Sequence, residues 1–131
     1  AEVQCPALIG SAFANLGRHL EREGPFPANS PFVHITGNDP GDLRITIGLA
    51  ISAGERAGGN GEIEEITIPA GKKLFCYYQG DNNLMMPVYE EMERFAEEHG
   101  CRPEEGVYEY YLNGMDVGAD KLLTKVVMAL K

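Results

Sequence analysis

Two stretches of the chain repeat apolar residues at the spacing of an amphipathic α-helix. In the first, these residues fall on one helical face; they are Ile9, Phe13, Leu16 and Leu20. The second runs from about residue 84 to residue 99, and its apolar positions are Val88, Met92, Phe95 and Ala96. The opposite face of this second helix carries Glu90, Glu91, Glu93, Glu97 and Glu98. Each predicted helix therefore has a single apolar face, which needs a sheet to cover it.

Residues with special backbone preferences mark the ends of these helices. Gly24 follows the first pattern, and Gly100 fits the left-handed position that commonly follows the end of a helix. Pro87 is compatible with the first turn of the second helix, because the N–H that proline lacks has no intrahelical partner there.

Runs of β-branched, aromatic and aliphatic residues predict the strands. They are residues 32–36, 43–51, 63–68, 73–79, 107–112 and 122–130. Residues 52–61 form a linker-like stretch, which is too short to separate two domains. Since 131 residues suit one domain, we predict a single domain over residues 1–131.

The two halves of the chain repeat the same order of features. When Gly24 is aligned with Gly100, the first predicted strand after each helix also aligns, pairing Phe32 with Tyr108, Val33 with Glu109 and His34 with Tyr110. Chance similarity is the alternative to duplication. Duplication predicts an α+β fold of two pseudo-symmetric βαββ repeats, about residues 1–51 and 62–131. These form one antiparallel sheet with two helices on one face and a ligand groove on the other.

Charge and cysteine content exclude several kinds of partner. The net charge is −9, from 20 acidic and 11 basic residues, so we expect no direct binding of nucleic acid, which depends on Lys and Arg. No apolar run reaches the roughly 18 residues of a membrane helix, and no signal peptide is visible, so we expect a cytoplasmic protein. Cys5, Cys76 and Cys101 are far apart and outside any zinc-binding spacing. We therefore expect reduced thiols, no metal and no cofactor.

A carboxylate among aromatic residues is the most informative chemical feature. In the predicted strand 107–112, Glu109 shares a face with Val107 and Tyr111, because side chains alternate along a strand. If that face is solvated, Glu109 is an ordinary surface residue. If it is covered, Glu109 is a buried charge that needs a partner. Aromatic rings beside such a carboxylate would form a receptor for a lipophilic cation. The pattern alone leaves both readings open.

The sequence ITIPAGKKLFCYYQG, residues 66–80, resembles the IPAG-x-Y-x-V-F-x-x-x-G signature of the GyrI-like domain. A helix ending in EEHG, a strand centred on Glu109 and a closing strand at residues 124–130 follow in the order of that family. The family includes the bacterial DNA gyrase inhibitor protein and the effector-binding domains of multidrug-sensing transcription activators. Three features depart from it: Lys125 and Ala129 stand where Glu and Pro are common, the leading strand of the first repeat is truncated to residues 2–5, and the chain has no Trp.

The resemblance implies two fused repeats of the SHS2 type with a ligand groove between them, and it implies that Glu109 lies on the floor of that groove. Tyr111, Tyr77 and Phe75 are the candidates for its aromatic wall. Val33, the repeat partner of Glu109, is expected across the pseudo-two-fold axis.

These features predict binding of small hydrophobic, cationic organic molecules by a sensor, a sequestering protein or an effector-binding domain. One alternative is a hydrolase of electrophilic small molecules, with Glu109 as general base and Tyr111 assisting. Another is a gyrase-inhibitor type of protein-interaction module. No nucleophile–base pair or second positioned acid is visible, which favours binding over catalysis. No helix-turn-helix precedes the groove, so control of transcription would need a protein partner or a fused regulatory domain.

Overall fold

Two α-helices and five β-strands form the described part of the computed structural model, which covers residues 5–24, 31–37, 43–52, 54–68, 70–81, 84–113 and 117–131. The helices are α1, Cys5–Glu23, and α2, Met86–Glu98. The strands are β1, Phe32–Thr36; β2, Arg44–Gly48; β3, Lys73–Gln79; β4, Val107–Tyr111; and β5, Leu123–Ala129. A 3₁₀ turn at Ala119–Lys121, which the sequence pattern did not indicate, precedes β5.

The strands form one open antiparallel sheet in the order β2-β1-β4-β5-β3. β1 and β4, the corresponding strands of the two predicted repeats, are neighbours, and the corresponding strands β2 and β5 flank them. The predicted α+β class is confirmed. The truncated leading strand expected at residues 2–5 falls almost entirely outside the described residues, and α1 begins at Cys5. The assignment of residues 1–131 to a single domain stays a prediction.

The chain divides into two compact units. One comprises residues 1–32 and 47–69 and contains α1; the other comprises residues 33–46 and 70–131 and contains α2, β3, β4 and β5. In the first unit, His19 and Leu20 of α1 are buried, as are Ala57 and Ile63. A hydrogen bond of 3.0 Å joins His19 Nε2 to the carbonyl oxygen of Gly58. The apolar face predicted for α1 is thus buried at its C-terminal end.

The strand predicted at residues 63–68 is wrong, since these residues have no regular structure and Ile66 is exposed. Side chains bond the backbone here. The carboxylate of Glu65 accepts hydrogen bonds from the N–H groups of Ala57 and Gly58, and Asn60 Oδ1 accepts one from the N–H of Ile63. Local polar contacts replace the strand partner that the apolar pattern predicted.

The core of the second unit lies between α2 and one face of the sheet. Met85, Met92, Val126 and Met128 are its buried centre, and Leu74, Cys76, Tyr78, Val88, Tyr89 and Val107 pack against them. The register aligns Leu74 with Met128 and Cys76 with Val126. We call this side of the sheet the α2 face. The other side carries Phe75, Tyr77, Tyr108 and Tyr110, and we call it the aromatic face.

Helix α2 begins and ends as the sequence predicts. Pro87 lies in its first turn, and all five of its glutamates are exposed. Gly100 has φ +70°, and the N–H groups of Gly100 and Cys101 bond the carbonyl oxygens of Glu97 and Ala96. Two orphan carbonyls are thereby satisfied. In the part of the chain that the structure describes, neither helix has the combination of length and apolar character needed to cross a bilayer.

Candidate functional site

Glu109 lies at the middle of β4 and points toward the α2 face. The register pairs Glu109 with Val126 and Tyr111 with Thr124 on β5. Residues paired across two strands share a face of the sheet, and Val126 belongs to the core against α2. Glu109 is 6% exposed, and Val126 and Thr124 are fully buried. The chain therefore holds a carboxylate in its interior.

The hydroxyl of Tyr111 is a direct partner of this carboxylate. Tyr111 Oη donates a hydrogen bond of 3.0 Å to Glu109 Oε1. Both residues are on β4, two positions apart, so the alternation of the strand brings them onto the same face. Among the described residues, no basic side chain forms an ion pair with Glu109. The carboxylate thus has a neutral donor but no counter-charge within the described chain.

Burial changes the proton affinity of both groups. Desolvation raises the pKa of Glu109 above its usual range, and the hydrogen bond from Tyr111 opposes this by stabilising the ionised form. The pKa of Tyr111 is also raised, first by burial and then by the negative charge of Glu109. Tyr111 therefore acts as a hydrogen-bond donor to the carboxylate.

Val33 joins Glu109 and Tyr111 on the α2 face. The ring of His34 stacks on Tyr108, with centroids 4.0 Å apart, which places His34 on the aromatic face. Because side chains alternate, its neighbour Val33 points the other way, and Val33 is buried. β1 and β4 are adjacent. Glu109, Tyr111 and Val33 therefore share one face of the two central strands.

Phe75 and Tyr77 lie on the opposite face from Glu109. They pair with Val127 and Lys125, and they are 51% and 60% exposed. The prediction that they form an aromatic wall beside Glu109 is therefore corrected. Alternation fixes the two faces within one strand, but only the register between strands decides which faces coincide. The sequence pattern predicts the groove on the side of the sheet opposite the helices, whereas Glu109 lies on the side that packs against α2.

Val126 and Thr124 of β5 lie beside Glu109 and Tyr111 on the α2 face, and neither was singled out by the sequence pattern. Val126 is directly opposite Glu109, and Thr124 is opposite Tyr111. Their positions in a predicted strand were visible in the sequence, but their pairing with Glu109 and Tyr111 depends on register. Among the described residues, no group of three His, Cys, Asp or Glu side chains could hold a metal ion. The arrangement can exchange a proton at Glu109 or neutralise a cation there.

No curated protein matches the chain. The family model of the GyrI-like small molecule binding domain matches residues 1–131, the whole chain. The match agrees with the two helices and the open five-stranded antiparallel sheet. The chain therefore belongs to the GyrI-like small molecule binding domain family.

Proposed function

We propose that this protein binds small hydrophobic, cationic organic molecules and that Glu109 supplies the counter-charge. Membership of the family supports small-molecule binding in general. The observation that carries the finer proposal is a carboxylate 6% exposed, held by the Tyr111 hydroxyl, with no ion-pair partner among the described residues.

The physical argument concerns the cost of a buried charge. An ionised carboxylate removed from water is costly unless a cation accompanies it. In the free protein a proton meets this need in part, because burial raises the pKa of Glu109. A ligand cation could replace the proton. Binding would then release a proton and strengthen as the pH rises through the pKa of Glu109.

Each neighbour has a role in this proposal. Tyr111 holds the carboxylate in one orientation by its hydrogen bond to Oε1. Val33 supplies apolar surface on the adjacent central strand. Phe75 and Tyr77 are left out, because they lie on the other face of the sheet. The protein would act as a sensor or a sequestering protein in the cytoplasm.

Titration with a planar, lipophilic cationic dye tests the proposal by fluorescence. A hydrogen bond to a charged group contributes about 1.5–3 kcal/mol to the free energy of binding. We therefore expect Glu109→Gln to weaken dye binding by about 10- to 150-fold. Glu97→Gln is the matched control, because it removes an exposed carboxylate from α2 with the same change in net charge. Equal dye affinity in wild type and Glu109→Gln would contradict the proposal.

The Tyr111–Glu109 hydrogen bond and the raised pKa of Glu109 also favour a second candidate function. A carboxylate of raised pKa could act as general base on a water that attacks a strained electrophile. This predicts time-dependent consumption of the electrophile, which is lost in Glu109→Gln while the fold is retained.

A third candidate function is that of a protein-interaction module. It predicts a partner protein that co-purifies with the chain and that Glu109→Gln does not release.

A further inference from the structure

Strand β3 is an edge of the sheet, and among the described strands only β5 pairs with it. The N–H of Leu130 bonds the carbonyl oxygen of Lys72, and the N–H of Gly80 bonds that of Leu122. Hydrogen-bonded pairs alternate along an antiparallel ladder, so even-numbered residues bond β5. The backbone groups of Phe75 and Tyr77 therefore point away from the sheet.

The centre of this edge, residues 74–78, contains no proline and no charged residue. Lys73 begins the strand, and Lys125 of β5 lies over the Phe75 ring, with Nζ 4.6 Å from its centroid. Natural edge strands are commonly blocked by proline, a bulge or a charged side chain. Residues 74–78 read LFCYY. Phe75 and Tyr77 are about half exposed, and their rings meet edge to face with centroids 5.8 Å apart. An added strand would cover the side chains of Phe75 and Tyr77 and would bond the outward N–H and C=O groups of the same two residues.

A groove of about 500 Å³ runs beside this edge, between β3 and α2. Its walls are mainly apolar and include Leu74, Cys76, Val88, Met92 and Phe95. Glu91 is the carboxylate among them, and it forms an exposed ion pair with Arg94. Exposed pairs of this kind are weak, so Glu91 can still attract a basic segment. In strand addition, backbone pairing supplies affinity while pockets take alternate side chains of the added strand. The groove is placed to receive the side chains that an added strand directs toward α2.

The acidic charge of α2 indicates what kind of segment could pair with β3. Helix α2 contains five Glu and one Arg, a net charge of −4. If β3 paired with β3 of a second copy about a two-fold axis, both acidic helices would lie on the same side of the joined sheet and repel each other. A segment that carries Lys or Arg would instead be attracted to this helix.

We propose that the β3 edge and its groove bind an extended segment of a partner protein by strand addition. The segment directs apolar side chains into the groove and carries basic residues that lie near Glu91 and the other glutamates of α2. This surface is separate from Glu109, so the inference stands or fails independently of the proposed small-molecule function.

Two peptides with chemically blocked termini test the inference. Both contain alternating Thr and Leu; one ends in lysines and the other ends in glutamates. We expect the lysine peptide to bind the wild type and to shift the backbone amide signals of Phe75 and Tyr77 in NMR spectra. Tyr77→Pro removes an outward N–H without removing a bond to β5. We expect it to weaken binding about tenfold, because the peptide loses one hydrogen bond and one of its carbonyl groups is left unpaired. Tyr77→Ala, which keeps the N–H, is the matched control and should bind more tightly than Tyr77→Pro.

Glu91→Lys provides a second variant that leaves β3 intact. It should weaken the lysine peptide and strengthen the glutamate peptide. The inference is overturned if the lysine peptide does not bind the wild type, or if Glu91→Lys leaves both affinities unchanged. It is also overturned if the wild type sediments as a dimer that Tyr77→Pro converts to monomer, because β3 would then pair with itself.

Discussion

Replacing Glu109 by Gln removes an interior carboxylate and keeps a side chain of similar size. Burial raises the pKa of Glu109 in the folded protein, so the folded state holds its proton at pH values where the unfolded chain has released it. The stability contributed by this proton is therefore fully present below the unfolded carboxyl pKa of about 4.3. It is lost as the pH rises from there through the folded pKa.

The upper limit on this change in stability follows from the release of a single proton. A single group bound in the folded state and released in the unfolded state changes the free energy of unfolding by at most about 1.4 kcal/mol per pH unit. Glu109→Gln has no proton to lose. Its stability relative to wild type should therefore rise with pH across this window, at a slope no steeper than that limit.

Urea unfolding followed by circular dichroism, at intervals from about pH 4 to about pH 8, measures this difference. Tyr111→Phe removes the hydrogen bond that lowers the pKa of Glu109, so it should extend the window to higher pH. Glu97→Gln controls for the loss of one negative charge. A stability difference between wild type and Glu109→Gln that is constant over the whole range would refute the reasoning.

Two further predictions concern the fold, and thermal or urea unfolding checks both. Met128→Ala should cost about 2–5 kcal/mol, because Met128 belongs to the buried core against α2; a loss similar to that of an exposed-site variant would contradict this packing. Gly100→Ala should destabilise by about 1–2 kcal/mol, since Gly100 has φ +70°. Gly17→Ala should instead stabilise by about 0.5–1 kcal/mol, because Gly17 lies inside α1 and has open space where the added carbon would lie. If both glycine variants changed the free energy of unfolding in the same direction, the explanation by backbone conformation would be refuted.

Local patterns were sufficient for most of the elements. Helix spacing and the positions of Pro87 and Gly100 predicted α2 to within a few residues, because these signals act within one turn of the chain. Alternation predicted β4 and put Glu109 and Tyr111 on one face. The same reasoning failed at residues 63–68, where Asn60 and Glu65 bond the backbone. An apolar run does not reveal such competing polar contacts.

The sequence by itself therefore determined that a carboxylate and a tyrosine share one face of a strand, since their spacing fixes this within β4. Only the tertiary structure decided that this face is the one covered by α2, and that Phe75 and Tyr77 lie on the other. The physical reason is register. A shift of one residue between strands exchanges their faces, and the register is set by the packing of β3, β4 and β5 against α2.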